Sequence, residues 1–154
     1  MQIFLFPGTG KVYIYFGQAA LGPSTSDPMI ISQEFAADKN GISVAGSPLL
    51  ATQGVFPLFF GASESPFGGD GAGSAYILSK NVFGAGSLHG LPVFAVSSDQ
   101  IIRSPFAGFG LNGGFGAFMK SGGDVNANGS ADLLIGAPLA STGGTNSGAV
   151  SIFW

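Results

Sequence analysis

The chain is poor in the residues on which many functions depend: it has no cysteine, one histidine and only 8% charged residues among 154. The absence of cysteine excludes disulfide bonds and thiolate metal sites. Five Lys+Arg against eight Asp+Glu give a net charge of -3, so the sequence predicts no basic surface for nucleic acid or an anionic membrane. No apolar run approaches the roughly 20 residues of a membrane span. Residues 1–8 are too short and too uncharged to be a signal peptide.

The residues that are abundant predict an all-β fold. Apolar residues make up 45% of the chain, which argues against disorder. Twenty-seven glycines combined with 15 phenylalanines favour short strands joined by tight turns. The segment 32–39 is the best helical candidate, and it is too short for a stable helix. Eleven candidate segments lead to a prediction of about ten strands: Ile3–Phe6, Lys11–Phe16, Met29–Ile31, Ile42–Ala45, Val55–Phe60, Ala75–Leu78, Val93–Val96, Ile101–Ile102, Phe115–Met119, Leu133–Ile135 and Ala149–Phe153.

An internal repeat of 75 residues runs through the chain. A shift of 75 places Leu58–Ala62 on Leu133–Ala137, and Gly73–Ile77 on Gly148–Ile152. A third, partial copy at Gly10–Tyr15 is similar to the last of these segments. A repeat of several strands that cannot bury its own apolar face predicts a propeller or a solenoid.

A polar loop in the second copy has the pattern of a cation site. Asp124, Asn126 and Asn128 alternate, Gly129 permits a sharp turn, and Asp132 leads into an apolar strand. Alternate side chains of a tight, extended loop lie on one side, where their oxygen atoms can surround a hard cation. The other interpretation is a polar hairpin that binds no ion.

Phe115–Gly116, the ion loop and Gly136–Ala137–Pro138 together resemble the FG-GAP repeat of integrin α-subunit-type β-propellers. This resemblance implies four-stranded antiparallel blades, with calcium in the loop between the first two strands of a blade. Only two of the ligand side chains are charged, so we expect a weak site suited to millimolar extracellular calcium. The ligands that the resemblance implies are the side chains of Asp124, Asn126, Asn128 and Asp132 and the backbone carbonyl of Ser130.

The first copy resembles a blade that has lost its ion. Leu49, Ala51, Gln53 and Pro57 stand where the second copy has the four ligand side chains. Ser63 replaces the proline of the Gly-Ala-Pro segment, and Asn40–Gly41 replaces Phe–Gly. We therefore expect calcium in the second copy alone.

The repeat divides the chain, a single all-β unit over 1–154, into about two and a half blades. These are a partial blade at 1–32, a degenerate FG-GAP blade at 33–103, and an FG-GAP blade with the calcium loop at 104–154, which lacks its outer strand. Closed propellers typically have about four to eight blades. We therefore expect either a fragment of a longer propeller or an assembly of several copies, as a ring or an open filament.

The sequence favours a non-catalytic, extracellular or cell-surface module with a structural or adhesive role. A carbohydrate-binding propeller and an accessory domain of a larger secreted hydrolase are the alternatives. Catalytic candidates are weak: His89 has Ser87, Ser97 and Asp99 near it in sequence, but no nucleophile motif accompanies them. The G-x-G-x-x-G pattern at 108–113 is followed by Gly-Phe-Gly instead of a helix, so it predicts no nucleotide site. No catalytic or organic-cofactor residue is predicted, and the expected partners are other copies, the rest of a propeller, or a protein or carbohydrate ligand.

Overall fold

The computed structural model describes residues 10–14, 29–32, 38–46, 57–66, 71–78, 92–94, 100–106, 113–129 and 131–154. These residues form strands and turns, and within them no helix occurs that could span a membrane. The all-β prediction is therefore confirmed. The ten strands are β1 Lys11–Ile14, β2 Met29–Ser32, β3 Asn40–Gly46, β4 Leu58–Ala62, β5 Ser74–Leu78, β6 Pro92–Phe94, β7 Gln100–Arg103, β8 Phe118–Gly123, β9 Asp132–Ala137 and β10 Ala149–Phe153.

The strands form three sheets, and all of them except β6 join these sheets in chain order. The first sheet has the order β1-β2-β6, the second β3-β4-β5-β7, and the third β10-β9-β8. All pairs are antiparallel except β2–β6, which is parallel. Small antiparallel sheets of three or four strands are consistent with propeller blades.

Most strand predictions agree with the structure, and the differences have local causes. β4 begins at Leu58 because the preceding residue, Pro57, has no N–H to donate to a ladder. The predicted strand Ile3–Phe6 and most of the helical candidate lie outside the described residues, although Ser32 ends β2. β6 lies in the range expected for the second blade but pairs with β2 of the first sheet.

The 75-residue repeat is present in the backbone as well as in the sequence. Gly41 and Gly116 occupy equivalent positions with φ of 82° and 88°, and Gly73 and Gly148 have φ of 92° and 75°. Several turn hydrogen bonds of the second sheet recur 75 residues later in the third. The equivalent pairs are Ile42 N to Lys39 O and Ala117 N to Gly114 O, Glu64 N to Asp38 O and Leu139 N to Gly113 O, Ser65 N to Ala62 O and Ala140 N to Ala137 O, and Gly73 N to Ser65 O and Gly148 N to Ala140 O.

Two apolar cores lie between successive sheets. The first core joins the first and second sheets, and its centre is Phe60 stacked on Tyr76, with ring centroids 5.0 Å apart. The second core joins the second and third sheets around Phe115, whose ring makes edge contacts with Phe106 and Phe153. The second sheet lies between the two cores and therefore packs through both of its faces, and burial of this apolar area is the main stabilising force.

Close backbone contacts fix the spacing between sheets. The backbone of Phe115 and Gly116 lies directly on Gly61 and Gly73 of the second sheet, so a Cβ at either glycine would overlap a carbonyl oxygen. Phe115 N donates to Ala72 O at 3.0 Å, and the hydroxyl of Ser43 donates to Gly116 O at 2.6 Å. Glycine at these positions allows main chain to contact main chain.

We expect Gly61→Ala to destabilise the chain by about 1–3 kcal/mol, because the added methyl group forces the second and third sheets apart. Gly46→Ala is the matched control. A Cβ there would lie 3.7 Å from its nearest neighbour, so its effect should stay within about 0.5 kcal/mol. Urea unfolding followed by circular dichroism measures both. Equal stability of the two variants would contradict the proposed contact.

Candidate metal centre

The candidate ion loop joins the first two strands of the third sheet, as the sequence predicts. β8 ends at Gly123, which has φ of 73°, and β9 begins at Asp132. A bulge between Ser121 and Gly123 shifts the register of the β8–β9 pair immediately before the loop. The loop therefore turns back on itself between the two strands. Its first polar residue, Asp124, faces the second half of the loop, which leads into Asp132.

Asp124 organises the loop. Its Oδ1 accepts a hydrogen bond from Asn128 N at 2.9 Å, and its Oδ2 accepts one from Gly129 N at 2.8 Å. Asn126 Oδ1 also accepts from Asn128 N, at 3.1 Å. Ala127 and Gly129 adopt the left-handed conformation, with φ of 57° and 87°. The side chain thus caps two backbone N–H groups and holds the loop folded from within.

Asp132 lies at the base of the loop and is fully buried. Its Oδ2 accepts a hydrogen bond from Val125 N at 2.6 Å, which ties the start of the loop to the start of β9. Its Oδ1 is also buried and has no hydrogen-bond partner in the described part of the chain. A buried carboxylate oxygen without a partner is destabilising and uncommon, so this atom needs a positive or hydrogen-bonding neighbour.

The side chains of the loop fit a hard cation. Carboxylate and amide oxygens are ligands that calcium prefers, and each oxygen of Asp124 keeps a second lone pair after accepting one N–H. The described residues include no group of three or more His, Cys, Asp and Glu side chains that could hold a metal ion. Any cation here would therefore depend on the amide oxygens of Asn126 and Asn128 and on backbone carbonyls.

The structure brings Asp124, Asn126 and Asn128 together on one exposed loop and places Asp132 beneath it. Ser130, the fifth predicted ligand, lies outside the described residues. In the first copy, Leu49, Ala51 and Gln53 also lie outside them, and Pro57 has no side-chain oxygen. The catalytic candidates Ser87, His89, Ser97 and Asp99 are outside the described residues as well.

A buried polar group in the second sheet was not predicted from the sequence. Asp38 and Asn40 are 1% and 3% exposed and lie where the other copy has Gly113 and Phe115. Asn40 N donates to Asp38 Oδ1 at 3.3 Å, while both polar atoms of the Asn40 side chain have no partner in the described part of the chain. The replacement of phenylalanine by asparagine in the repeat was the available signal, but it does not by itself indicate burial.

Residues 121–153 match the sequence model of the FG-GAP repeat. The matched range includes the candidate ion loop, β9 and β10. Together with the small antiparallel sheets, this match supports a chain built of β-propeller blades. No curated protein matches the chain.

Asp124→Ala should loosen the loop even when a chelator is present, because Asn128 N and Gly129 N lose a charged acceptor. We expect amide hydrogen exchange at these two residues to accelerate roughly tenfold, the ratio that about 1.4 kcal/mol produces. Asn126→Ala is the control, since it removes an acceptor from Asn128 N alone. Unchanged exchange at Gly129 in Asp124→Ala would refute the capping role.

Proposed function

We propose that this chain is a non-catalytic, calcium-binding β-propeller module with a structural or adhesive role. The observation that carries the proposal is the buried Oδ1 of Asp132, a carboxylate oxygen without a hydrogen-bond partner in the described part of the chain, at the base of a loop of oxygen-bearing side chains. The FG-GAP match over residues 121–153 is a second, independent support.

Asp124, Asn126, Asn128 and Asp132 would hold the ion through side-chain oxygens, and Ser130 through its backbone carbonyl. Bound calcium would supply positive charge beside the two negatively charged carboxylates, those of Asp124 and Asp132. Asp124 holds the loop folded, and Asp132 connects it to β9, whose Leu133 and Ile135 belong to the second core. In this proposal, the ion braces the loop against the interface between two sheets and takes no part in chemistry.

The expected affinity is low, because only two of the ligand side chains carry charge. Such a site would be filled at the millimolar calcium concentrations found outside cells. FG-GAP repeats occur in extracellular domains, which agrees with this affinity and favours an extracellular or cell-surface location.

The partners that we propose are further blades, supplied by other copies of the chain or by a longer propeller. Exposed apolar side chains on the third sheet support this proposal, since surfaces of this kind mark interaction sites. They include Phe118 on β8 and Val150 and Ile152 on β10, and the exposed Trp154 directly follows β10.

Calcium should raise the melting temperature of the chain. If Kd is near 1 mM, about 10 mM calcium stabilises the folded state by about 1.4 kcal/mol, which is roughly 3–6 °C for a chain of this length. Differential scanning calorimetry measures the shift. Magnesium at the same concentration should give a smaller rise, because it demands a more regular ligand geometry.

Asp124→Ala should abolish the calcium-dependent rise, and Asp132→Asn should reduce it by removing one ligand charge. Glu64→Gln is the control, because Glu64 pairs with Lys39 at the surface and belongs to the second sheet's turn. A parent chain that shows no response to calcium would eliminate the ion site. A calcium-dependent rise in melting temperature that remains in Asp124→Ala would place the ion site elsewhere in the chain.

Light scattering should show that the 154-residue chain is not a compact monomer in solution. Association buries the exposed apolar side chains of the third sheet, which is favourable. A discrete larger mass would indicate a ring, and a concentration-dependent series a filament. A monomer with slowly exchanging amides throughout would show that the chain needs no further blade.

A further inference from the structure

Three glycines mark equivalent positions before the third strand of each blade: Gly10, Gly73 and Gly148. Two of them are covered by main chain from the next blade. A Cβ at Gly10 would overlap the backbone of Asn40, and a Cβ at Gly73 would overlap that of Phe115. Near Gly148, by contrast, the neighbouring atoms belong to Pro138 of the same sheet, the closest being its carbonyl oxygen at 3.2 Å.

Gly148 lies in an open groove on the outer face of the third sheet. The groove has a volume of about 710 Å³, and its lining includes Phe118, Leu134, Gly136 and Val150. Phe118 and Val150 are 67% and 66% exposed. So large an exposure of neighbouring apolar side chains indicates a binding surface.

The equivalent face of the second sheet is covered. Phe59 and Ala75 lie 75 residues before Leu134 and Val150, and they are only 3% and 0% exposed. The covering element is the segment that carries Phe115 and opens β8. The segment that carries Phe115 is therefore an example, within this chain, of what can occupy such a groove.

Main-chain atoms make the polar contacts of that occupant. Phe115 N donates to Ala72 O, and Phe115 forms a parallel bridge with Gly73. The next residue must be glycine: Gly116 has φ of 88°, and a Cβ there would be too close to Ser74 O. The groove thus selects a residue followed by glycine at the start of a strand, as Asn40–Gly41 also shows on the first sheet.

The third sheet keeps the features that this recognition needs. Ser147 occupies the position of Ala72, so its carbonyl is placed to accept the N–H, and Gly136 occupies the position of Gly61. A Cβ at Gly136 would lie 3.6 Å from Cδ2 of Phe118, so this exposed ring has to rotate aside before main chain can contact Gly136. One contact differs, because Phe118 replaces Ser43 and its hydroxyl. The groove of the third sheet is therefore more apolar than its counterpart.

We propose that the groove around Gly148 binds a Phe–Gly segment at the start of a β-strand, supplied by another polypeptide chain. This inference rests on the blade architecture of the proposed function and is independent of the calcium site. It identifies a surface, a register and a sequence pattern for the partner.

The test uses the full chain and a fluorescent synthetic peptide with the sequence of residues 113–120, in the presence of a chelator. Fluorescence anisotropy should show saturable binding. Val150→Glu should weaken it about tenfold or more, because a carboxylate would have to be buried against the peptide. A peptide with valine in place of its central Phe–Gly glycine should not bind.

Val44→Glu is the matched control, since Val44 is 56% exposed on β3 and does not line the groove. This variant should bind the peptide as the parent chain does, and circular dichroism should show both glutamate variants folded. If the parent chain dimerises and Val150→Glu is monomeric, the proposal stands and the partner is a second copy. No saturable binding, or binding that Val150→Glu leaves unchanged, would overturn the proposal whatever calcium does to the melting temperature.

Discussion

The structure depends on the direct contact of main chain with main chain between successive sheets. At Gly61 and Gly73 the second sheet has no side chains, so the backbone that opens the third sheet can lie against it and form hydrogen bonds. The sheet spacing follows from this contact, and the two apolar cores are filled by side chains of the size that the spacing leaves. Some of the many glycines of the chain are therefore required for close contact between sheets, and others for tight turns.

The candidate ion loop uses the same framework in a different way. Its outer residues are exposed and held together by Asp124, whereas its last residue, Asp132, is buried and begins a strand of the second core. A charge placed at the loop would therefore act on the interface between two sheets. Through the side chain of Asp132, a cation at the exposed loop would affect the stability of the second core.

Much of this architecture could be predicted from the sequence, because a repeat shows the same constraint twice. The shift of 75 residues correctly paired Gly41 with Gly116 and Gly73 with Gly148, and the alternation of 124, 126 and 128 correctly located a loop between two strands. The parallel pairing of β6 with β2 could not be predicted, because a strand of three residues has too short a hydrophobic pattern to specify its partner strand. The burial of Asp38 and Asn40 could not be predicted either, since polar residues beside a turn are normally exposed.

The two interfaces between sheets differ in chemistry at equivalent positions. Where the second core has the ring of Phe115, the first has the amide of Asn40 beside a buried carboxylate. The polar side-chain atoms of Asn40 have no partner in the described part of the chain, and such an amide contributes less cohesion than an aromatic ring. At this position the contact between the first and second sheets is thus the less cohesive one, and we expect local opening on heating to begin there.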